Sequence, residues 1–281
     1  MKLKEKIYNQ VKKNKTGEVK SYKEIARLIG NPKSYRVVAN ILAKNKNPKI
    51  PCHRVIKSDY TIGGYMGSYK NSWKKLALLL KEGVIAVMPT DTIYGICGNA
   101  LKRKVVEKIY KLRKRSPKKP MIILISDLDE LKIFGVKPNK NELRILKKLW
   151  PGKVSVILDI REKEKIRRFS YLHRGTRTLA FRLPKPKWLI RILKISGPLV
   201  APSANWENFE PAKSIKEAKK YFGNEVVYAD EEILLNRKTK FRKKIKKPSS
   251  LIKLVGKKIE IIREGADFEK IKKIIFENIK K

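Results

Sequence analysis

The stretch Met88-Pro-Thr-Asp-Thr-Ile-Tyr-Gly-Ile-Cys-Gly98 constrains the fold of this chain more than any other. A short apolar run, residues 84–87, leads into it and gives way to a polar turn. That is the pattern of a buried strand delivering side chains to the end of a sheet, where ligands collect in open α/β folds. Thr90, Thr92 and Tyr94 place hydroxyls in close succession. Gly95 and Gly98 are expected to let backbone amides approach an anion with no Cβ in the way. An ordinary strand and turn would use the same residue types, so the stretch takes its meaning from its surroundings.

Downstream, helical and strand patterns alternate. Val105, Val106, Ile109 and Leu112 recur at helical spacing. Residues 121–125, 154–158, 179–183 and 199–201 read as strands, residues 188–193 as a helix, and Ser126 as the cap of another helix. Such alternation predicts an α/β sheet domain of mixed strand direction. Residues 268–281 read as a basic amphipathic helix, and residues 236–247 as a mobile basic loop, solvated or contacting RNA.

The first 70 residues have another character. Leu3, Ile7 and Val11 mark one amphipathic helix, and Ser21-Tyr-Lys-Glu24 is a capping box opening a second, with Ile25, Ala26, Leu28 and Ile29 inward. Ser34 is expected to cap a third, which buries Val37, Val38, Ile41 and Leu42 and turns Arg36 outward. Two short helices about a tight turn form a helix-turn-helix pattern, the second helix reading a groove of duplex DNA. The expected fold is therefore α/β: a small helical, winged-helix-like N-terminal domain, residues 1–71, followed by a larger twisted mixed-sheet domain, residues 72–281.

Ile50-Pro-Cys-His-Arg-Val55 sets a thiol beside an imidazole and a guanidinium, neighbours that favour the nucleophilic thiolate. Together with Ser21-Tyr-Lys-Glu-Ile-Ala26, Tyr35-Arg-Val-Val38, residues 45–48 and Gly63-Gly-Tyr-Met-Gly67, it resembles the active domain of the O6-alkylguanine-DNA alkyltransferases. The resemblance implies that Cys52 takes the alkyl group, once and irreversibly. His53 would remove the thiol proton through a water, and Glu82 would orient the imidazole. Tyr22 would help turn the target nucleotide, Arg36 would fill the gap left in the stack, and Asn45 would be the hinge asparagine, with Asn47 competing for that place. A base must leave the duplex to meet a thiolate, and a long cation on the groove helix can stabilise the hole.

A second resemblance covers roughly residues 74–266. The opening stretch, Arg113-Lys-Arg-Ser-Pro-Lys-Lys-Pro120, Trp150-Pro-Gly152, Thr178-Leu-Ala-Phe-Arg-Leu-Pro184, Ala201-Pro-Ser-Ala-Asn205, Pro248-Ser-Ser-Leu-Ile252 and Ile262-Arg-Glu-Gly265 resemble the threonylcarbamoyl-AMP synthases. These enzymes activate L-threonine with bicarbonate and ATP for N6-threonylcarbamoyladenosine in tRNA. The resemblance makes Arg113 and Arg115 catalytic cations, and gives Lys119, Thr90, Thr92, Tyr94, Arg182, Ser203, Asn205, Ser249 and Arg263 to substrate and ATP. The family more often has Lys at the place of Arg113; Arg keeps the charge and brings a planar fork. ATP is expected as a substrate with Mg²⁺, and no tightly bound cofactor or protein-held metal is expected, since no His/Cys cluster has ligand spacing. The single helix ahead of Gly83 is claimed by both patterns.

Composition enters where partners are concerned. Lys and Arg number 70 against 26 Asp and Glu, a net charge of +44 that attracts polyanions, although a general lysine bias would produce the same excess. Double-stranded DNA is the expected partner of the first domain; tRNA and the later enzymes of its modification stay open for the second. No apolar run reaches the ~18 residues of a membrane span, and no secretion signal is seen after Met1. Two cysteines in unlike contexts, Cys52 and Cys97, suggest a reduced, cytoplasmic protein, with Cys97 a small core residue. Two binding-only readings compete: a first domain that recognises damaged DNA without chemistry, and a second that only binds RNA.

Overall fold

The structure is a computed structural model and describes residues 2–235, 247–255 and 258–279. The expected basic loop therefore lies, apart from Lys247, outside the described residues.

Three helices open the chain: α1 (Leu3–Lys12), α2 (Tyr22–Leu28) and α3 (Tyr35–Ala43). The capping box forms, Ser21 Oγ accepting from Glu24 N at 3.1 Å and Glu24 Oε2 from Ser21 N at 2.6 Å. Ile7, Val11, Ile25, Ala26, Val38, Leu42 and Val55 share one small core. That core covers only a narrow stripe of each helix. Leu28 and Val37, both expected inside, are 53% and 42% exposed. Nor does Ser34 cap α3. It lies in a single 3₁₀ turn, Pro32–Ser34, with ψ 13° instead of an extended backbone, and its hydroxyl donates to Asn31 O. Strand β1 (Lys20–Ser21) pairs in parallel with β2 (Val55–Ile56) and ties the helices to the loop after Cys52.

Helix α4 (Ser72–Glu82) follows and is closed by Gly83 at φ 105°, where a side chain would also crowd Lys102 and Val105. Leu76, Leu79 and Leu80 are fully buried against the sheet that comes next.

Among the described residues that sheet has nine strands: β3 (Ala86–Pro89), β4 (Tyr94–Asn99), β5 (Ile123–Leu124), β6 (Val154–Asp159), β7 (Thr178–Arg182), β8 (Leu199–Val200), β9 (Val227–Tyr228), β10 (Ser250–Val255) and β11 (Lys258–Arg263). Their order is β11-β10-β6-β7-β5-β8-β4-β3-β9. The β6–β10, β5–β7 and β3–β9 pairs are parallel and the others antiparallel, the expected mixed sheet. Helices run between strands, notably Arg103–Leu112, Lys140–Leu149 and Lys187–Ser196. The residue at the start of the 3₁₀ segment Leu128–Phe134 is Asp127 rather than Ser126. Its carboxylate accepts from Asp129 N, while the Ser126 hydroxyl turns to Glu130.

The opening stretch is an antiparallel hairpin, Ala86 opposite Cys97 and Pro89 opposite Tyr94, buried at every strand position. Its two glycines serve packing. A Cβ on Gly98 would stand 2.5 Å from Val105 and 2.8 Å from Ile109, so this glycine seats the helix Arg103–Leu112 instead of freeing an amide for an anion. A Cβ on Gly95 would meet Pro202 O at 3.2 Å and Thr90 Cγ2 at 3.3 Å, so this one brings two loops together.

The packing does not stop at residue 71. Thr61 bridges to Tyr228 of the edge strand β9, with Ile62 N to Tyr228 O and Tyr228 N to Tyr60 O both 2.9 Å. Ile56 and Ile62 lie in the same apolar cluster as α4, β3 and β9. The first domain thus covers an edge that would otherwise offer free backbone groups.

Candidate functional sites

The sequence-predicted residues gather in two places. In the first, Cys52 begins a 3₁₀ turn, Cys52–Arg54, and is 8% exposed. Asn45 Nδ2 donates to its Sγ at 3.1 Å and to Asn47 O, while Asn45 Oδ1 accepts from Asn47 N. Of the two asparagines, Asn45 is the one that touches the thiol. His53 Nε2 lies 2.8 Å from Glu82 Oε1, so the carboxylate at the end of α4 does meet the imidazole across 29 residues of chain.

Arg54 is not a thiolate partner. Its fork embraces Glu82, Nε to Oε2 at 2.8 Å and Nη2 to Oε1 at 2.7 Å, and its Nη1 donates to Asn14 O. Burial would raise the Glu82 carboxyl, but the bonds from Arg54 and His53 outweigh it and hold the group below its usual range. Burial also pushes the Cys52 thiol up, only partly offset by Asn45 and the charge of Lys75. The expectation of a thiolate favoured by its sequence neighbours is corrected for Arg54: its guanidinium is spent on Glu82, and burial works against ionisation of the thiol.

Sequence reasoning missed Lys75. It is 1% exposed on α4, donates to Val55 O at 2.5 Å and stands 5.7 Å from the Tyr22 ring. Burial pulls its pKa down to about 7. A run of Lys74 and Lys75 on a basic helix reads as solvated surface, so nothing in the sequence marked it. Tyr22 itself is part-buried, its hydroxyl pushed up to about 12 by burial. Arg36 is exposed on α3, its guanidinium 5.9 Å from the Tyr35 ring.

The second place is a polar seam in the sheet domain. Thr90 Oγ1 donates to Ile93 O at 2.7 Å and lies 3.1 Å from Thr92 Oγ1. Arg182 on β7 reaches Thr92 Oγ1 at 3.4 Å, Asp91 Oδ1 at 3.0 Å and Ser155 Oγ at 3.4 Å. Ser155 meets Ser249 at 2.9 Å, and Arg263 binds Ser249 through its carbonyl and hydroxyl. Five expected residues, Thr90, Thr92, Arg182, Ser249 and Arg263, thus form one hydrogen-bonded chain, with Asp91 and Ser155 as members the sequence did not single out. Ser155 sits inside an apolar run on β6, where a buried hydroxyl gives no periodic signal.

Across Gly95 lies the remainder. Gly95 bridges to Ser203, and Ala204 N donates to Tyr94 O. Arg113 is 2% exposed; its Nε donates to Asn205 O at 3.1 Å, and its Nη2 to Ser203 Oγ at 3.2 Å and Asn205 Oδ1 at 3.3 Å. Its Nη1 is buried with no partner, and burial together with Arg115 lowers the guanidinium to about 10. Arg115 donates to the carbonyls of Lys119 and Pro120, and Lys119 Nζ pairs with Glu207 at 2.8 Å. Tyr94 is buried, its hydroxyl raised by burial and by Asp230 and Glu231. Cys97 is fully buried, its thiol pushed up to about 12.

Fold and sites together define a class: a helical domain with a buried thiol next in sequence to a histidine paired with a glutamate, joined to a mixed-sheet domain whose convergent guanidinium and hydroxyl groups suit an anion. Residues 78–265 match the Sua5/YciO/YrdC family model, described as telomere recombination, and residues 2–84 match the model described as 6-O-methylguanine DNA methyltransferase, DNA binding domain.

The chain belongs to the Sua5/YciO/YrdC family and carries at its N-terminus a domain of the methylguanine methyltransferase DNA-binding type. It is 33% identical over 202 residues to a putative threonylcarbamoyl-AMP synthase of Methanocaldococcus jannaschii, covering 68% of this chain and 86% of that one. It is 34% identical over 131 residues to the threonylcarbamoyl-AMP synthase of Bacillus subtilis, covering 46% of this chain but 37% of that one, so it spans little more than a third of that relative. A methylated-DNA--protein-cysteine methyltransferase of Rattus norvegicus is 39% identical over 97 residues, 34% of this chain and 46% of that one. The fold is shared with P. abyssi Sua5 complexed with L-threonine (TM-score 0.60, 23% identity, 72% of this chain and 58% of that one). It is shared equally with E. coli YciO (TM-score 0.57, 20% identity, 70% and 90%).

Proposed function

We propose that the sheet domain makes L-threonylcarbamoyl-AMP and that the helical domain removes alkyl groups from O6-alkylguanine in DNA. The observation that carries the first reading is the buried Nη1 of Arg113, a donor left without an acceptor beside Ser203 and Asn205. Such a group is costly unless an acceptor completes it, and a phosphate or carboxylate oxygen is the acceptor a guanidinium fork suits.

In this reading the threonine amine captures bicarbonate as a carbamate with loss of water. A carbamate oxygen then attacks the α-phosphorus of ATP, and the bond to pyrophosphate breaks. Arg113, Arg115 and Lys119 stabilise charge spread over the phosphoryl oxygens, where catalysis is mainly positioning and electrostatics. In this reading Mg²⁺ arrives with ATP as part of the substrate. Thr90, Thr92, Tyr94, Arg182, Ser249 and Arg263 line the rest of the site for threonine and the nucleotide. The product serves tRNA modification through later enzymes. Work in the cytoplasm is part of this proposal. No helix among the described residues is long and apolar enough to cross a membrane. Pyrophosphate release that requires threonine and bicarbonate together is the expected result; release independent of either would overturn the reading.

In the helical domain, Cys52 would attack the alkyl carbon, the bond to O6 would break, and a thioether would remain. Its proton would pass to His53, whose cation Glu82 stabilises; Asn45 holds Sγ, while Tyr22 and Arg36 act on the flipped nucleotide. Burial that favours the thiol also suits a second reading, damaged-DNA binding without chemistry. Mass spectrometry after mixing with O6-methylguanine DNA separates them: one methyl on Cys52, absent in Cys52→Ser, supports transfer, and an unchanged mass supports binding alone.

A further inference from the structure

Glu207 follows the Ala201-Pro-Ser-Ala-Asn205 loop and plays no part in the readings above. Its side chain is 15% exposed and both carboxylate oxygens are engaged across the site. Oε2 accepts from Ser116 N at 2.6 Å, and Oε1 pairs with Lys119 Nζ at 2.8 Å. Its own backbone N donates to Arg113 O at 2.8 Å. The preceding residue completes the join: Lys114, at φ 49°, lays its ammonium 3.6 Å from the centre of the Trp206 ring.

Five cations, Arg113, Lys114, Arg115, Lys118 and Lys119, fall within seven residues, and they repel one another while no substrate anion is bound. The Lys119 and Arg115 charges and the Ser116 amide keep the Glu207 carboxyl below its usual range, so it stays ionised near neutral pH. The Lys119 ammonium is 59% exposed, so that ion pair by itself stabilises little. The short bond from a backbone amide to a carboxylate is the stronger contact.

We infer that Glu207 is a positioning residue for the proposed nucleotide site: a built-in counter-charge that locks the 113–119 cation loop to the 201–207 loop before ATP arrives. The inference rests on the synthase reading. Preorganised charges need no rearrangement when the phosphates bind, and that is the advantage such a lock confers. Asn205 and Ser203 hold Arg113 from one side and Glu207 holds Ser116 and Lys119 from the other, so the loop is fixed at both ends.

The test is calorimetric binding of Mg·ATP and, separately, of L-threonine to the full chain. Glu207→Ala should weaken Mg·ATP binding by about 10-fold, the worth of one charge-assisted hydrogen bond, and leave threonine binding unchanged. Glu207→Gln keeps an acceptor for Ser116 N but drops the counter-charge, and should recover only part of the loss. A general folding defect would weaken both ligands together and would not be rescued by Gln. Should Glu207→Ala fail to fold, Glu207→Asp takes its place, since the shorter chain keeps the charge but cannot reach both partners; it should then bind Mg·ATP more weakly than Glu207→Gln. Equal or tighter Mg·ATP binding by the alanine variant would overturn the positioning role alone. A wild-type chain that binds no Mg·ATP would overturn the synthase reading and this inference with it.

Discussion

Arg113 and Arg115 stand two residues apart and differ in everything that surrounds them. Arg113 is sunk against Ser203 and Asn205 with one donor left over, whereas Arg115 is part-exposed and rests on its own loop's carbonyls. Arg115→Ala is expected to slow threonylcarbamoyl-AMP formation by ~100-fold, as removal of one preorganised charge does elsewhere. Thr90→Ala should cost less, because its hydroxyl is already satisfied by Ile93 O. A change within a few-fold for Arg115→Ala, read by pyrophosphate release, would move the anion site away from residues 113–119. Lys75 supports a prediction about pH. Its folded pKa of about 7 lies below the ordinary 10.5, so between those values the unfolded chain binds more protons and stability rises with pH. Below about pH 7 the cost of the buried charge is present in full. Lys75→Met should therefore be more stable than wild type at pH 7, by an amount that shrinks toward pH 8.5. Denaturant midpoints at the two pH values check this, and an equal difference at both would contradict it.

At the scale of elements, α4 has two obligations. Its last residue, Glu82, binds His53 and Arg54, while Leu76, Leu79 and Leu80 are buried in the cluster that also holds β3 and β9. Both family matches include residues 78–84, the end of this helix and the start of the run into β3. Glu82→Gln keeps the shape and removes the charge, so alkyl transfer should slow while pyrophosphate release stays as in wild type. Loss of both activities would mean that Glu82 holds the whole fold rather than the histidine. Elements were legible where a pattern is local. The capping box at Ser21, the alternation of strands and helices, and the stop at Gly83 all depend on near neighbours in sequence. Ser34 and Ser126 misled because a serine ahead of an apolar run matches a cap in composition, while the backbone angle that makes it one is set by the turn before it. Gly98 misled in a similar way: its need is for the packing of Val105 and Ile109, seven and eleven residues on, and the fold alone lays that helix over the glycine.

For the whole molecule, the two domains are continuous in their packing. Residues 60–62 cover the edge of the nine-stranded sheet at Tyr228, and Ile56 and Ile62 are buried with residues of the sheet domain. A fragment of residues 1–67 should lose the carboxylate that orients His53 and transfer alkyl groups slowly. A fragment of residues 84–281 should lose several kcal/mol, at ~1.5–3 for each buried leucine of α4, and should self-associate through the uncovered edge at β9. Activity assays and sedimentation measure both; two fragments that each matched the full chain as soluble, active monomers would show that nothing is shared.

The sequence by itself determined the two-part architecture, the mixed sheet, the thiol in its Pro-Cys-His-Arg setting and the cationic loop, because each is written in contiguous residues or in a simple period. Only the tertiary structure decided which charges meet. Arg54 turns to Glu82 and not to nearby Cys52, Lys75 is buried with its ammonium on Val55 O, and Glu207 closes on Ser116 and Lys119 from 88 to 91 residues away. The physical reason is common to all three. A side chain's environment is fixed by which distant surfaces exclude water from it, and burial and pairing of that kind leave no period in the chain.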